Sequence, residues 1–190
     1  MTERPDKRAI ASWAFYDFAN TIFSMNVISL YFALWVTVDH GGQDILYSIA
    51  LSSSMFAVAI SAPIFGTISD QTGRRCFPLA LLTIVSVLAT AFIGQTDQLW
   101  MGLFLFVIAN YCYQSALVFY NGMLPSVARQ SNVGLISGYG VALGYIGSIA
   151  GLSLVEPFVA NGDRSAAFFP TAILFLVFAI PCFLFVKDLQ

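Results

Sequence analysis

Asp17, Asn20, Thr21, Ser24 and Tyr31 all lie within one apolar stretch of the chain. At 100° per residue they fall within an arc of about 100° on a single helix, and Asn26 and Ser29 fall elsewhere. Further along, Asn110, Gln114 and Asn121 share a face, with Tyr113 and Tyr120 at its edge. Carboxyl, amide and hydroxyl groups arrayed in this way can line a hydrated route for a polar solute or a proton. They can equally tie helices together, at about 0.6 kcal/mol per interhelical hydrogen bond. Asp17 is the residue that discriminates. It lies about 10 Å along a helix that starts at Ile10, below the surface of a hydrocarbon core whose half-thickness is about 15 Å. A charged aspartate costs about 2.5 to 3.5 kcal/mol at mid-helix and is too short to reach back to the interface. No lysine or arginine lies deep in any apolar stretch to neutralise it. Asp17 is therefore expected to face protein or water. There it acts either as a hydrogen-bonded structural acid or as a group that takes up a proton or a mobile cation.

Other chemistries find little support. The single histidine, His40, sits in a polar break, and no zinc motif, serine–histidine pair or close pair of immersed carboxylates appears, so an enzyme is not indicated. Cys76, Cys112 and Cys182 are far apart, without metal-ligand or redox spacing. No cofactor motif is present and no nucleic-acid partner is implied.

The elements that would position these residues are membrane spans. The chain has 190 residues, of which 58% are apolar and only 9% charged, far below the roughly 25% charged residues of a soluble domain. Six continuous apolar runs stand out: Ile10–Val38, Ile45–Ile68, Phe77–Ile93, Leu99–Tyr120, Val133–Val155 and Ala166–Val186. Their length and continuity predict helices rather than barrel strands. The fold class is thus an all-α membrane protein, a single six-span bundle over 1–190. Arg4, Lys7, Arg8, Arg74, Arg75, Arg129 and Lys187 fall on one side of such a bundle, and only Arg164 on the other. The positive-inside rule then places both termini in the cytoplasm. The absence of N-x-S/T sequons points to a bacterial inner membrane. The third and sixth runs hold few polar side chains and are expected to face lipid almost all round, with Pro181 kinking the sixth. In the fifth run Gly140, Gly144, Gly147 and Gly151 lie within about 60° of one another, a smooth face for close helix packing.

The break after the second run reads GTISDQTGRR, Gly66 to Arg75. Gly66 leaves room for a neighbouring helix, and Asp70 can pair with Arg74 or sit at the positive end of a nearby helix. Gly73 permits a reversal, and Arg74 and Arg75 anchor the turn. The stretch resembles the G-x-x-x-D-(R/K)-x-G-R-(R/K) loop of the major facilitator superfamily, with Gln71 standing where a basic residue is usual. WAFYDFANTIF and YNGMLPSVA followed by SGYGVALGYIG resemble the first span and the fourth-to-fifth region of its vacuole effluxer-like branch. The glycine run is also similar to the antiporter motif of the family, but Tyr145 stands where that motif has proline. The resemblance implies one half of a twelve-span fold. In that fold the first and fourth helices line the cavity, the second and fifth touch the other half, and the third and sixth face lipid. The glycine face of the fifth would then dock against an opposing half. The implied function is a secondary transporter, or the N-terminal half of one, for a small-molecule solute, with amino acids the leading class. Asp17, Asn20, Ser24, Asn110, Tyr113 and Gln114 would line the substrate or proton pathway, and Gly66, Asp70, Gly73, Arg74 and Arg75 would form a gating loop. The partners are the lipid bilayer and a second six-helix half or a second copy. The alternative is a truncated or degenerate membrane scaffold without transport of its own.

Overall fold

The computed structural model describes residues 6–188; Arg4 lies outside them. Six long helices are present among the described residues: α1 Lys7–Asp39, α2 Asp44–Thr72, α3 Cys76–Ile93, α4 Leu99–Val127, α5 Val133–Val159 and α6 Arg164–Phe185. Each is long and apolar enough to cross a bilayer. The Asp6 carboxylate starts α1 by accepting the Arg8 backbone N–H at 2.9 Å, which satisfies one of the donors a helix start leaves free. Gly73 ends α2 with φ of 65° and donates its N–H to Ser69, a left-handed cap that a residue with a Cβ disfavours. The α5 helix runs on through Pro157 to Val159, past the Val155 at which the apolar run stops, and so carries Glu156 within the helix.

The helices pair in a pattern with internal symmetry. The α1 helix packs on α5 and α6, α4 packs on α2 and α3, and α3 packs on α6. Exchanging 1 with 4, 2 with 5 and 3 with 6 leaves this set of pairings unchanged. Because successive spans run in opposite directions, the exchange also reverses each helix, which is the signature of a three-plus-three inverted repeat. The two pivots, α1 and α4, meet through rings rather than backbone. Tyr120 stacks on Trp13 and Tyr16, Tyr113 on Phe23, and Phe106 on Phe32 at a centroid distance of 4.1 Å. The middle of the bundle is thus filled by aromatic side chains, each a large apolar contact with a defined stacking geometry.

Two expectations need correction. The third and sixth spans do not face lipid almost all round. The α3 helix buries Leu79, Thr83, Ser86, Val87 and Ile93, and α6 buries Phe168, Thr171, Phe175 and Cys182, since α3 packs chiefly on α4 and α6 on α1, and the two also meet each other. The least covered helices are α2 and α5. The glycine face of α5 is also not free to dock against an opposing half, because α1 occupies it. A Cβ on Gly140 would meet the Trp13 ring at 2.9 Å, and one on Gly151 would meet Ile22 at 3.1 Å. Only glycine lets these helices approach so closely.

Candidate functional site

The α1–α5 seam sets the position of Asp17. Its Oδ2 lies 3.4 Å from where a Cβ on Gly140 or on Gly144 would stand. Thr21, one turn on, donates its hydroxyl to the Gly144 carbonyl at 2.7 Å across the seam, with the Asp17 and Phe18 carbonyls of its own helix at 3.1 Å. Ser148 donates to the same Gly144 carbonyl at 3.2 Å. Asp17, Thr21, Val141, Gly144, Tyr145 and Ser148 line a recess of about 150 Å³ that opens beside the seam. The half-buried carboxylate therefore faces protein and an open recess.

Four of the six residues expected to line a pathway come together. The Asn20 side chain lies beside the Asp17 carboxylate, and the Tyr113 hydroxyl of α4 lies beside Ser24 and Asn20. Asn20 is only 6% exposed, yet its Oδ1 has no hydrogen-bond partner among the described residues. Asn110 does not join them. It is fully buried and donates from Nδ2 to the Ser54 hydroxyl of α2 at 2.7 Å, an interhelical tie. Gln114 is half-buried on the same helix. Asn26, off the polar arc, makes the corresponding tie from α1, donating to the Gly151 carbonyl at 3.1 Å and to Thr171 at 3.3 Å.

The backbone explains why part of the wheel arithmetic fails. From Ser24 to Tyr31, and again from Trp35 to Asp39, α1 is a π-helix, with i→i+5 hydrogen bonds and a wider turn. Residues beyond Ser24 therefore rotate less per step than 100°. Tyr31 ends up near Glu156 of α5.

The loop between α2 and α3 is built differently from the expectation. Asp70 pairs with Arg75, not Arg74, at 3.1 Å. Arg75 is the buried member, 8% exposed, and its Nε donates to Ser69 at 2.9 Å while its stem packs against Gly122 of α4. Because Asp70 is exposed, the ion pair itself contributes little; burial of the guanidinium between α2 and α4 fixes the turn. Arg74 is exposed. Gly66 faces open space, with nothing within 4 Å of a Cβ there, so no described helix approaches it. Asp188, beyond α6, accepts the backbone N–H groups of Arg75 and Cys76 at 2.7 and 2.8 Å. It thereby caps the α3 N-terminus, a favourable place for negative charge. At the opposite end of the bundle Arg164 pairs with Asp39.

The residues that sequence reasoning left out of the site are Ser148 and Tyr145. Ser148 had a signal: it stands four residues after Gly144, about 40° away on the helix wheel, at the rim of the glycine face. Glu156 lies outside the recess, near Tyr31; nothing in the sequence marked it as helical, because the apolar run stops one residue before it.

Comparison with known proteins agrees with this architecture. A family model described as Major Facilitator Superfamily matches residues 17–189. A protein of Aquifex aeolicus (strain VF5), described as uncharacterized, is 30% identical over 189 residues, which covers 95% of this chain and 47% of the relative. The Bacillus subtilis (strain 168) protein described as "Uncharacterized MFS-type transporter YxiO" is 30% identical over 192 residues, covering 90% of this chain and 44% of the relative. The chain therefore spans about half the length of the curated relatives it matches. No solved structure matches significantly.

Proposed function

Since this integral, multi-pass membrane chain belongs to the major facilitator superfamily, whose members move small solutes across bilayers, we propose that it forms the N-terminal half of a secondary transporter for a small polar solute. Both termini lie in the cytoplasm and the membrane is a bacterial inner one. The observation that carries the reading is the placement of Asp17. It is an acid without a basic partner among the described residues, at a helix seam beside an open recess, next to Asn20 and through it Tyr113. A carboxylate in lipid would be costly, whereas one at a wet recess can bind and release a proton or another cation as the helices move. Asp17 is thus the coupling residue. Asn20, Ser24 and Tyr113 line the route beside it, with Gln114 further along α4, while Asn110 serves as the interhelical tie to Ser54.

The second half, or a second copy of this chain, covers α2 and α5. These are the least covered helices and present Ile49, Phe56 and Ile60 on α2 and Val141, Tyr145 and Ile149 on α5. The loop at Gly66, Asp70, Gly73, Arg74 and Arg75 gates the cytoplasmic side, with Arg75 as its fixed point. Amino acids are the substrate class to test first, on the resemblance to the vacuole effluxer-like branch.

The test is solute flux into proteoliposomes holding the chain together with a second six-helix half, under imposed ion gradients. Gradient-driven uptake is expected, with Asp17→Asn removing its ion dependence. No uptake of any small polar solute would overturn the transport reading in favour of a membrane scaffold. Unchanged ion dependence in Asp17→Asn would remove Asp17 from coupling.

A further inference from the structure

We propose that the recess between α1 and α5 is a binding site for a monovalent cation of sodium size, held by the Asp17 carboxylate and the Thr21 and Ser148 hydroxyl oxygens. The direction of the hydroxyl protons defines the site. A hydroxyl has one proton to donate and two lone pairs. Thr21 commits its proton to backbone carbonyls, with that of Gly144 nearest at 2.7 Å, and Ser148 commits its own to the same carbonyl at 3.2 Å. What both side chains have left to present to the recess is lone pairs. Of the two other polar groups there, Asp17 is an acceptor when charged, and the phenol of the exposed Tyr145 supplies one proton and its own lone pairs.

Such a site is rich in oxygen acceptors and poor in donors. It repels an anion, and a proton would satisfy the carboxylate while leaving the hydroxyl lone pairs unpaired. A hard cation satisfies all of them, since such ions take carboxylate, hydroxyl and carbonyl oxygens. The charge balance selects a single positive charge. Among the described residues Asp17 is the one acid lining the recess; Glu156 lies eight residues beyond Ser148, about 12 Å along α5, and Lys7 lies ten residues before Asp17, about 15 Å along α1. The volume of about 150 Å³ holds an ion and a few waters, at about 30 Å³ per water. The π-helical turn that begins at Ser24, just past Thr21, adds a local irregularity of the type found at functional sites.

This inference deepens the transport reading by naming the coupling ion at the same seam, but it is tested without transport. The measurement is the thermal unfolding midpoint of the full chain in detergent as sodium chloride replaces choline chloride at constant ionic strength. The expected result is a saturable rise with sodium that is absent in Asp17→Asn. Thr21→Val and Ser148→Ala should each weaken the apparent sodium affinity by at least about tenfold, and Thr21→Ser, which keeps the oxygen, should retain it. If Thr21→Val fails to unfold cooperatively, Ser148→Ala decides. Equal midpoints in sodium and choline, a response to methylammonium chloride but not to sodium, or a sodium response untouched by Ser148→Ala would overturn the site. Sodium binding without flux would leave this inference standing and sink the transport reading; flux without sodium binding would do the reverse.

Discussion

Gly147→Ala is the most informative single methyl that can be added to this protein. A Cβ there would stand 2.6 Å from the Thr21 hydroxyl and 3.0 Å from the Phe18 Cα, with the Phe18 carbonyl oxygen closer still. Two of these three neighbours are backbone atoms, which cannot rotate away as a side chain can. The helices must therefore separate by roughly 1 Å, given an ordinary contact of about 3.5 to 4.0 Å. Overpacking of this kind costs about 1 to 3 kcal/mol, and losing the Thr21–Gly144 hydrogen bond adds about 0.6 kcal/mol. At about 2 to 4 °C per kcal/mol for a chain of this size, the unfolding midpoint should fall by roughly 3 to 14 °C. The assay is thermal unfolding in detergent, read from tryptophan fluorescence. Trp13 reports directly, because its ring packs on Gly140 in the same seam. Gly138→Ala is the control, since nothing lies within 4 Å of a Cβ at that position on the same helix. Equal midpoints for Gly147→Ala and Gly138→Ala would refute the close α1–α5 approach and with it the position assigned to Asp17.

Further outcomes follow from the same contacts. Asn110→Leu, which removes the donor to Ser54, should cost about 0.6 to 1.7 kcal/mol in the same unfolding assay and leave any ion dependence of transport unchanged. Arg75→Lys should lower stability more than Arg74→Lys, because a lysine cannot reproduce the Nε contact to Ser69 and the contact to Asp70 together. Asp188→Ala should destabilise by about 0.5 to 2 kcal/mol through loss of the α3 cap, measurable as a lower midpoint and as faster amide exchange at Arg75 and Cys76.

Much of this architecture is legible from the order of residues. Six continuous apolar runs leave few alternatives to six helices, and the glycine spacing on α5 identifies a face made for close packing. What packs there is not legible. In water a buried face and an exposed face differ in polarity, but in lipid an apolar surface is equally at home against a helix or an acyl chain. The wheel therefore shows which residues share a side without showing what lies opposite. The same limit accounts for Asn110, whose amide marks a polar face but whose partner, Ser54, lies on another helix. It also accounts for the backs of α3 and α6, which are apolar and yet buried.

Two other departures are local. The π-helical stretches of α1 alter the angle per residue beyond Ser24, and nothing in the apolar run SMNVISLY announces them. Asp70 had two neighbouring arginines to choose from. The turn at Gly73, with its positive φ, leaves Arg74 outward and brings Arg75 under α4, and spacing alone does not separate the two.

A transport role for this seam requires that Asp17 and Ser148 look onto water instead of acyl chains. The most direct measurement is the labelling of Ser148→Cys, in a chain whose Cys76, Cys112 and Cys182 are replaced, by a membrane-impermeant maleimide in sealed vesicles. Reaction at a rate close to that of an exposed loop position such as Asp163→Cys is the predicted result. Modification by a lipid-soluble maleimide alone, with the impermeant reagent inert from both sides of the membrane, would contradict it.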